Sequence, residues 1–223
     1  MTARLLGAER WPELVGRRPL IALPLGSCEQ HGPHLPLDTD TRIAVALAGR
    51  LADAGFDVLI SPPLAIGASW EHHEFPGLLS ITNELLANVL VEIARSADWA
   101  GGLVLVNGHG GNRGGVDAAV RQITDEGRAV LSWWPRVEGG DAHAGRTETS
   151  IMLALDRDLV RLDRAVPGYG GAAAAAFTSG LRAASPTGIV GDPSGASADE
   201  GRALLDALAA DLIATVSRWE HSR

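Results

Sequence analysis

The chain contains no lysine: all 19 of its basic residues are arginine, in a sequence of 223 residues. Mechanisms that need a lysine amine are closed to it, among them the P-loop, the protein kinase, Ser-x-x-Lys and Schiff-base nucleophiles. Cysteine is nearly absent as well. With Cys28 alone there can be no internal disulfide and no Cys-rich zinc site, which suits a reducing compartment. No apolar run approaches the ~20 residues of a membrane span. Charges interrupt the first ten residues too early for a secretory leader, so a cytoplasmic chain is expected. Positive charge is in deficit, and the formal net charge of -8 argues against nucleic-acid and anionic-membrane partners. A small neutral or cationic substrate fits better.

What is present is a globular composition, 46% apolar and 21% charged, long enough for one domain over residues 1–223. Residues 19–25 form a short apolar run of the kind found in a strand buried on both faces. Residues 38–55 then take helical spacing, with capping residues at the start and Gly55 as a stop. The pattern recurs, with strands expected over 57–61, 102–106 and 129–133, and helices over 82–97, 114–126, 147–154 and 197–218. Alternating strands and helices predict an α/β fold with a mainly parallel sheet. The Gly, Ala, Ser and Pro-rich stretch 167–193 reads as loops inside this domain, and the alanines at 172–176 as compositional bias.

Six of the seven histidines fall in four short segments, each following an expected strand. In open α/β sheets ligands bind beyond the carboxyl ends of the strands, so these segments are expected to converge on one site. The first contains Glu29 and His31, two apart, which in extended backbone share a face as two ligands of one centre must. Asp40 opens the next helix, and its two oxygens are able to bridge two ions. Histidine mixed with Asp and Glu suits Zn, Mn or Fe(II). Taken alone, Glu-x-His reads as a polar surface turn; the density of ligand types around it reverses that reading in favour of the metal.

The third segment sets His109 among glycines, with Asn107 and Asn112 placed to orient it, and lacks the spacing of a dinucleotide loop. The fourth offers His143 before a helix and Glu148 in its first turn, where a carboxylate also serves the helix dipole. His72 and His73, flanked by Glu71 and Glu74, are expected to face substrate or support the ligands. Cys28 beside a histidine leaves a thiol amidohydrolase conceivable, although a small buried apolar role is the plainer reading.

Five stretches in order resemble the creatininase family of metal-dependent amidohydrolases: Gly26 to Leu37 with Asp40, Glu71 to Gly77, Asn107 to Asn112, His143 to Ser150, and Gly188 to Pro193. The resemblance implies a three-layer α/β/α sandwich, a homo-oligomer, and one or two divalent ions. By position, Glu29, Asp40 and His109 would hold one ion, and His31 with the bridging Asp40 the other. Creatininase has a glutamate two residues past the histidine matching His109; here that position is Gly111, and either Glu148 supplies the missing ligand or the second site is weak and a single ion is tightly held.

His143 matches the family's catalytic histidine, but its acidic neighbour is replaced by Ala142, with Asp141 as a candidate substitute. Trp134 matches a substrate-covering tryptophan. The implied chemistry is attack of a metal-activated water on an amide carbonyl. Among members, the resemblance is nearest to those that cleave a modified peptide, while those that hydrolyse formylamino-pyrimidines share the Gly-Gly after His109. A binding subunit that has lost catalysis is the non-enzymatic alternative.

Overall fold

A computed structural model describes residues 4–223; Met1 to Ala3, part of the stretch in which no leader was expected, lie outside it. The elements are α1 (Trp11–Leu14), β1 (Leu20–Leu25), α2 (Thr39–Asp53), β2 (Val58–Ile60), α3 (Asn83–Ser96), β3 (Gly102–Asn107), α4 (Arg113–Asp125), β4 (Val130–Trp133), α5 (Arg146–Leu155), α6 (Ala173–Ser179), α7 (Leu181–Ala184) and α8 (Ala198–His221). All four strands are parallel, in the order β2-β1-β3-β4.

Strand alternation divides the core in two. Leu20 and Ala22 of β1 pack with Leu47 of α2, Met152 of α5 and Leu212 of α8. Ile21, Leu23 and Leu25 face the other way, onto Leu86 and Leu90 of α3 and Val116 and Ile123 of α4. The sheet is therefore covered on both sides, a three-layer α/β/α sandwich, which is why its strands read as continuous apolar runs. Each fully buried leucine of these helices contributes about 1.5–3 kcal/mol relative to exposure. Thr82 caps α3 by accepting the Leu85 N–H at 3.1 Å, and Ser197 caps α8 by accepting that of Glu200 at 3.2 Å.

The chain leaves β1 toward β2 at one edge and leaves β3 toward β4 at the other. The strand order thus reverses between β1 and β3, and the crevice at their carboxyl ends is where this topology places ligands. No helix of the described residues is long and apolar enough to cross a membrane.

Two expectations are corrected. The alanine run at 172–176 is not mere bias: it forms most of α6, whose Ala176 packs with Leu181 and Val190 in a small third cluster. Alanine is the strongest helix former, and one buried face suffices to use it. Cys28 is half-buried, with its Sγ 3.6 Å from the Gly77 carbonyl oxygen.

Candidate metal and hydrolytic site

The loop after β1 doubles back, the Glu29 N–H donating to Leu37 O at 3.1 Å, so that Glu29 and His31 return over the sheet edge as α2 begins. Asp40 lies in the first turn of α2. At the end of β3, Asn107 donates to the His109 carbonyl at 2.6 Å, and Asn112 donates to Asn107 Oδ1 at 2.9 Å and to Gly26 O at 3.0 Å. These buried amides tie the β1 and β3 ends together. Gly108 permits the contact, since a Cβ there would stand 2.5 Å from the Asp40 carbonyl oxygen.

Glu29, Asp40 and His109 place ligand atoms within 4.8 Å of one another, and so do His31, Asp40 and Glu148. Asp40 belongs to both groups. Its Oδ1 is 3.0 Å from His31 Nε2 and its Oδ2 is 2.9 Å from His109 Nδ1, with Ser27 donating to Oδ2 at 2.8 Å. His31 Nδ1 donates to the Glu29 carbonyl at 3.3 Å, which leaves Nε2 as the ligating nitrogen. Glu148 Oε2 stands 4.0 Å from that Nε2. Both carboxylate oxygens of Glu29 are buried and receive no hydrogen bond among the described residues. His72 Nε2 at 3.2 Å and His109 Nε2 at 3.3 Å face them without donating geometry.

Burial pushes the Glu29 carboxyl up to about 7, His109 opposing and Asp40 reinforcing. Burial raises Glu148 to about 7 in the same way, against the pull of His31. For His31 burial works downward, but Asp40, Glu148 and Glu29 raise it to about 10. His109 likewise rises to about 9 against its burial, through Glu29, Asp40 and Glu71. Asp40, which burial alone would raise, is held well below the carboxylate range by His31 and His109. Three carboxylates and two imidazoles packed this closely retain protons that a divalent cation displaces. Orphaned Glu29 oxygens and a mixed carboxylate-imidazole donor set both fit such an ion.

Above the carboxylates lies a cavity of about 450 Å³ lined by His72, His143 and Phe177 among others. The His143 and His31 ring centroids are 4.4 Å apart, and those of His143 and His72 are 4.6 Å apart. His143 Nε2 meets the Gln30 carbonyl at 2.8 Å; since a carbonyl only accepts, Nε2 carries the proton and Nδ1 is left facing Glu29 Oε1 at 3.7 Å. The Gln30 amide accepts from Gly32 N at 2.8 Å and donates to Gly188 O at 3.1 Å and to His72 Nδ1 at 2.9 Å. One side chain thereby orients His72 and spans to the Gly188 loop. Burial, His31 and His72 together lower His143 well below the usual histidine range.

The structure thus brings Glu29, His31, His72, Asp40, His109, His143 and Glu148 together. Trp134 it does not. Alternation along the end of β4 buries Trp133, whose Nε1 donates to Asp211 at 2.7 Å, and sends Trp134 to the opposite apolar cluster. The aromatic ring over the histidines is Phe177 of α6, whose centroid is 6.2 Å from that of His72. Asp141 does not stand in for an acidic neighbour of His143. Its carboxylate caps α5, accepting from the backbone of Arg146 and, at 3.0 Å, of Thr147.

Sequence reasoning missed Gln30 and Phe177, and gave Glu71 no more than adjacency to His72. Glu71 Oε1 lies 3.7 Å from His109 Nε2 and lines the cavity. Gly32-Pro33 after Gln30 signalled a turn that needs an internal hydrogen bond, whereas a phenylalanine inside a presumed loop carried no signal.

The creatininase family profile, described as creatinine amidohydrolase, matches residues 8–216, and this chain belongs to that family as a hydrolase acting on amide bonds. It is 44% identical to the mycofactocin precursor peptide peptidase of Mycobacterium ulcerans (strain Agy99), over 96% of this chain and 91% of that protein. A manganese form of creatininase superposes with a TM-score of 0.81 at 27% identity, covering 98% of both chains. A zinc-zinc form of a creatininase variant gives 0.81 at 27% identity over 99% of both.

Proposed function

We propose that this chain is a metal-dependent peptidase that releases the C-terminal Val-Tyr dipeptide from the modified mycofactocin precursor peptide during mycofactocin biosynthesis. The single observation that carries the hydrolytic part is Asp40 shared between two ligand groups at the floor of one cavity. In this reading Glu29, Asp40 and His109 hold one ion and His31, Asp40 and Glu148 the other, as Zn, Mn or Fe(II). Ions held there would lower the pKa of a water to about 7 and would polarise the scissile carbonyl.

The chain's own residues do the rest. His143, locked by the Gln30 carbonyl at Nε2, offers Nδ1 to take up a proton and hand it to the leaving nitrogen. His72, held at Nδ1 by the Gln30 amide, keeps its Nε2 3.2 Å from Glu29 Oε1 and limits where that carboxylate can turn. Phe177 closes over the imidazoles and narrows the access of bulk water. The peptide is thus the partner, and the chain works as a homo-oligomer. In support of assembly, Trp11 is 78% exposed and borders an apolar groove with Leu14, Val15 and the half-buried Arg17.

Gly110 and Gly111 after His109 favour a second reading, hydrolysis of a small formylamino or cyclic amide, because formylamino-pyrimidine deformylases share that pair. Incubation with the modified precursor and mass spectrometry separates the two. Loss of Val-Tyr by the wild type, abolished in His143→Ala with metal retained, supports the peptidase. An intact peptide with turnover of a formamide moves the assignment to the second reading, and metal binding with no turnover of either leaves a binding subunit.

A further inference from the structure

The cavity above the carboxylates continues past Glu148. A second cavity of about 410 Å³ shares Gly108, Gly110, Ala142 and Glu148 with the first, so that Glu148 stands as the partition between them. Its size falls within the ~300–1,000 Å³ of ligand pockets. Beyond the partition the lining changes character. Ile43, Val137, Ile151 and Leu208 form an apolar wall, and Arg136 is the only arginine lining either cavity.

Arg136 forms no hydrogen bond or ion pair among the described residues, although two carboxylates line the same space. Both are otherwise engaged. Asp141 accepts from the backbone at the start of α5, at 3.0 Å from Thr147 N, and Glu148 accepts the Ala144 N–H at 2.6 Å. The segment carrying Arg136 is short and braced: it leaves β4 through Pro135, which fixes φ, and turns with Gly140 N–H donating to Val137 O at 3.1 Å. An exposed guanidinium lining this second cavity, with the neighbouring carboxylates already occupied, is free to receive an anion from outside the chain, in a protein whose net charge of -8 otherwise repels one.

We infer that Arg136 receives the C-terminal carboxylate of the peptide, while the apolar wall takes the side chain of its last residue. This rests on the peptidase reading above and deepens it. The leaving dipeptide occupies the second cavity, the peptide bond to be cut lies across Glu148 over Asp40, and the distance from the chain end sets where the cut falls. A planar fork binds a carboxylate through two parallel N–H donors, and an aromatic terminal residue gives an apolar body to the wall with a polar tip toward solvent. An amide at the same chain end offers one acceptor and no charge, so the site discriminates against it.

The test uses the modified precursor as free acid and as C-terminal amide, with wild type, Arg136→Ala and Arg136→Lys, followed by mass spectrometry. Wild type is expected to prefer the acid by about tenfold or more in kcat/KM, mainly through KM, as a charge-assisted pair implies. The acid-to-amide ratio falls to near one in Arg136→Ala, and Arg136→Lys keeps part of it. Calorimetry with the product Val-Tyr and its amide gives a readout independent of turnover: the free dipeptide binds wild type more tightly than its amide, and Arg136→Ala does not distinguish them.

Equal cleavage of acid and amide by wild type, or a preference that persists in Arg136→Ala, overturns the role of Arg136 and leaves the peptidase reading standing. Failure of wild type to cleave either peptide or to bind the dipeptide overturns both.

Discussion

Glu148 Oε2 lies 4.0 Å from His31 Nε2 and also accepts the backbone N–H of Ala144 at 2.6 Å, so a carboxylate from the start of α5 is pinned against a histidine from the β1 loop. The backbone bond fixes one oxygen's position without help from any ion. If Glu148 completes the second ligand group, Glu148→Ala removes one ion of two while Glu29, Asp40 and His109 keep the other. Asp40→Ala, which cuts both groups, removes both. Mass spectrometry of metal content on protein purified without chelator reads the outcome, and retention of two ions in Glu148→Ala would refute the assignment.

The pinning has a conformational cost. Ala144 has φ 53°, the only positive φ at a non-glycine position among the described residues, and it is fully buried. Left-handed backbone costs an L-residue about 1–2 kcal/mol, partly offset in glycine by its unfolded-state entropy. Ala144→Gly is therefore expected to change stability by less than about 1 kcal/mol and to keep activity. Ala144→Val adds β-branching to the same angle and is expected to destabilise by about 2–3 kcal/mol, with loss of metal as Glu148 shifts. Thermal melts with metal analysis decide it; a stable, fully metallated Ala144→Val would show that the φ of Ala144 does not hold Glu148.

The parallel sheet and the residues meeting at its carboxyl edge were legible because they rest on short-range regularities. Apolar runs mark doubly covered strands, helical spacing with Thr82 and Ser197 marks α3 and α8, and a topological rule places the loops after β1 and β3 side by side. What was illegible depends on direction at one residue. Trp134 and Trp133 are neighbours, and only the phase of alternation past β4 decides which faces which cluster. Phe177 reaches the imidazoles because an alanine run folds as α6, a result of tertiary cover from Leu181 and Val190 that composition does not encode. Arg136 was invisible for a different reason: an arginine acquires meaning from the absence of a partner.

His34 supplies a pH dependence. It is buried, Thr149 Oγ1 is 2.9 Å from its Nε2, and its Nδ1 has no hydrogen-bond partner among the described residues. Burial, then the charge of His31, lowers it from 6.5 to about 4. A base with a lowered folded pKa gives stability that is present above its unfolded value and lost as pH falls through the folded one. The window is therefore pH 6.5 down to about 4, with a limit of about 3 kcal/mol. Glu29 and Glu148, raised to about 7, act in the opposite sense over part of that range. The difference between wild type and His34→Asn isolates the histidine. Denaturant titrations at pH 7.5 and 4.5 are expected to show wild type losing more stability than the variant; equal losses would mean His34 titrates normally.

Gly111 bears on how the second ligand group can be rebuilt. A Cβ at this position would sit 2.2 Å from the Ala68 carbonyl oxygen, 2.4 Å from His109 Nε2 and 2.5 Å from Glu71 Oε1. The first of these is backbone in a segment that Asn112 Oδ1 fixes by accepting the Ala68 N–H at 2.8 Å, so it cannot yield as a flexible side chain would. Restoring the creatininase glutamate here therefore does not restore a ligand. Gly111→Glu is expected to displace His109, lose the ion held by Glu29, Asp40 and His109, and destabilise the protein by several kcal/mol through overpacking and a disturbed buried carbonyl. Gly111→Ala, carrying only the Cβ, is expected to show most of the same loss, which assigns the effect to space rather than charge. Thermal melts and metal content of the two variants, each combined with Glu148→Ala, form the check. A Gly111→Glu, Glu148→Ala double variant that regains two ions would mean that the Ala68 segment moves freely and that the ligand's place in the sequence, not the space around Gly111, distinguishes this chain from creatininase.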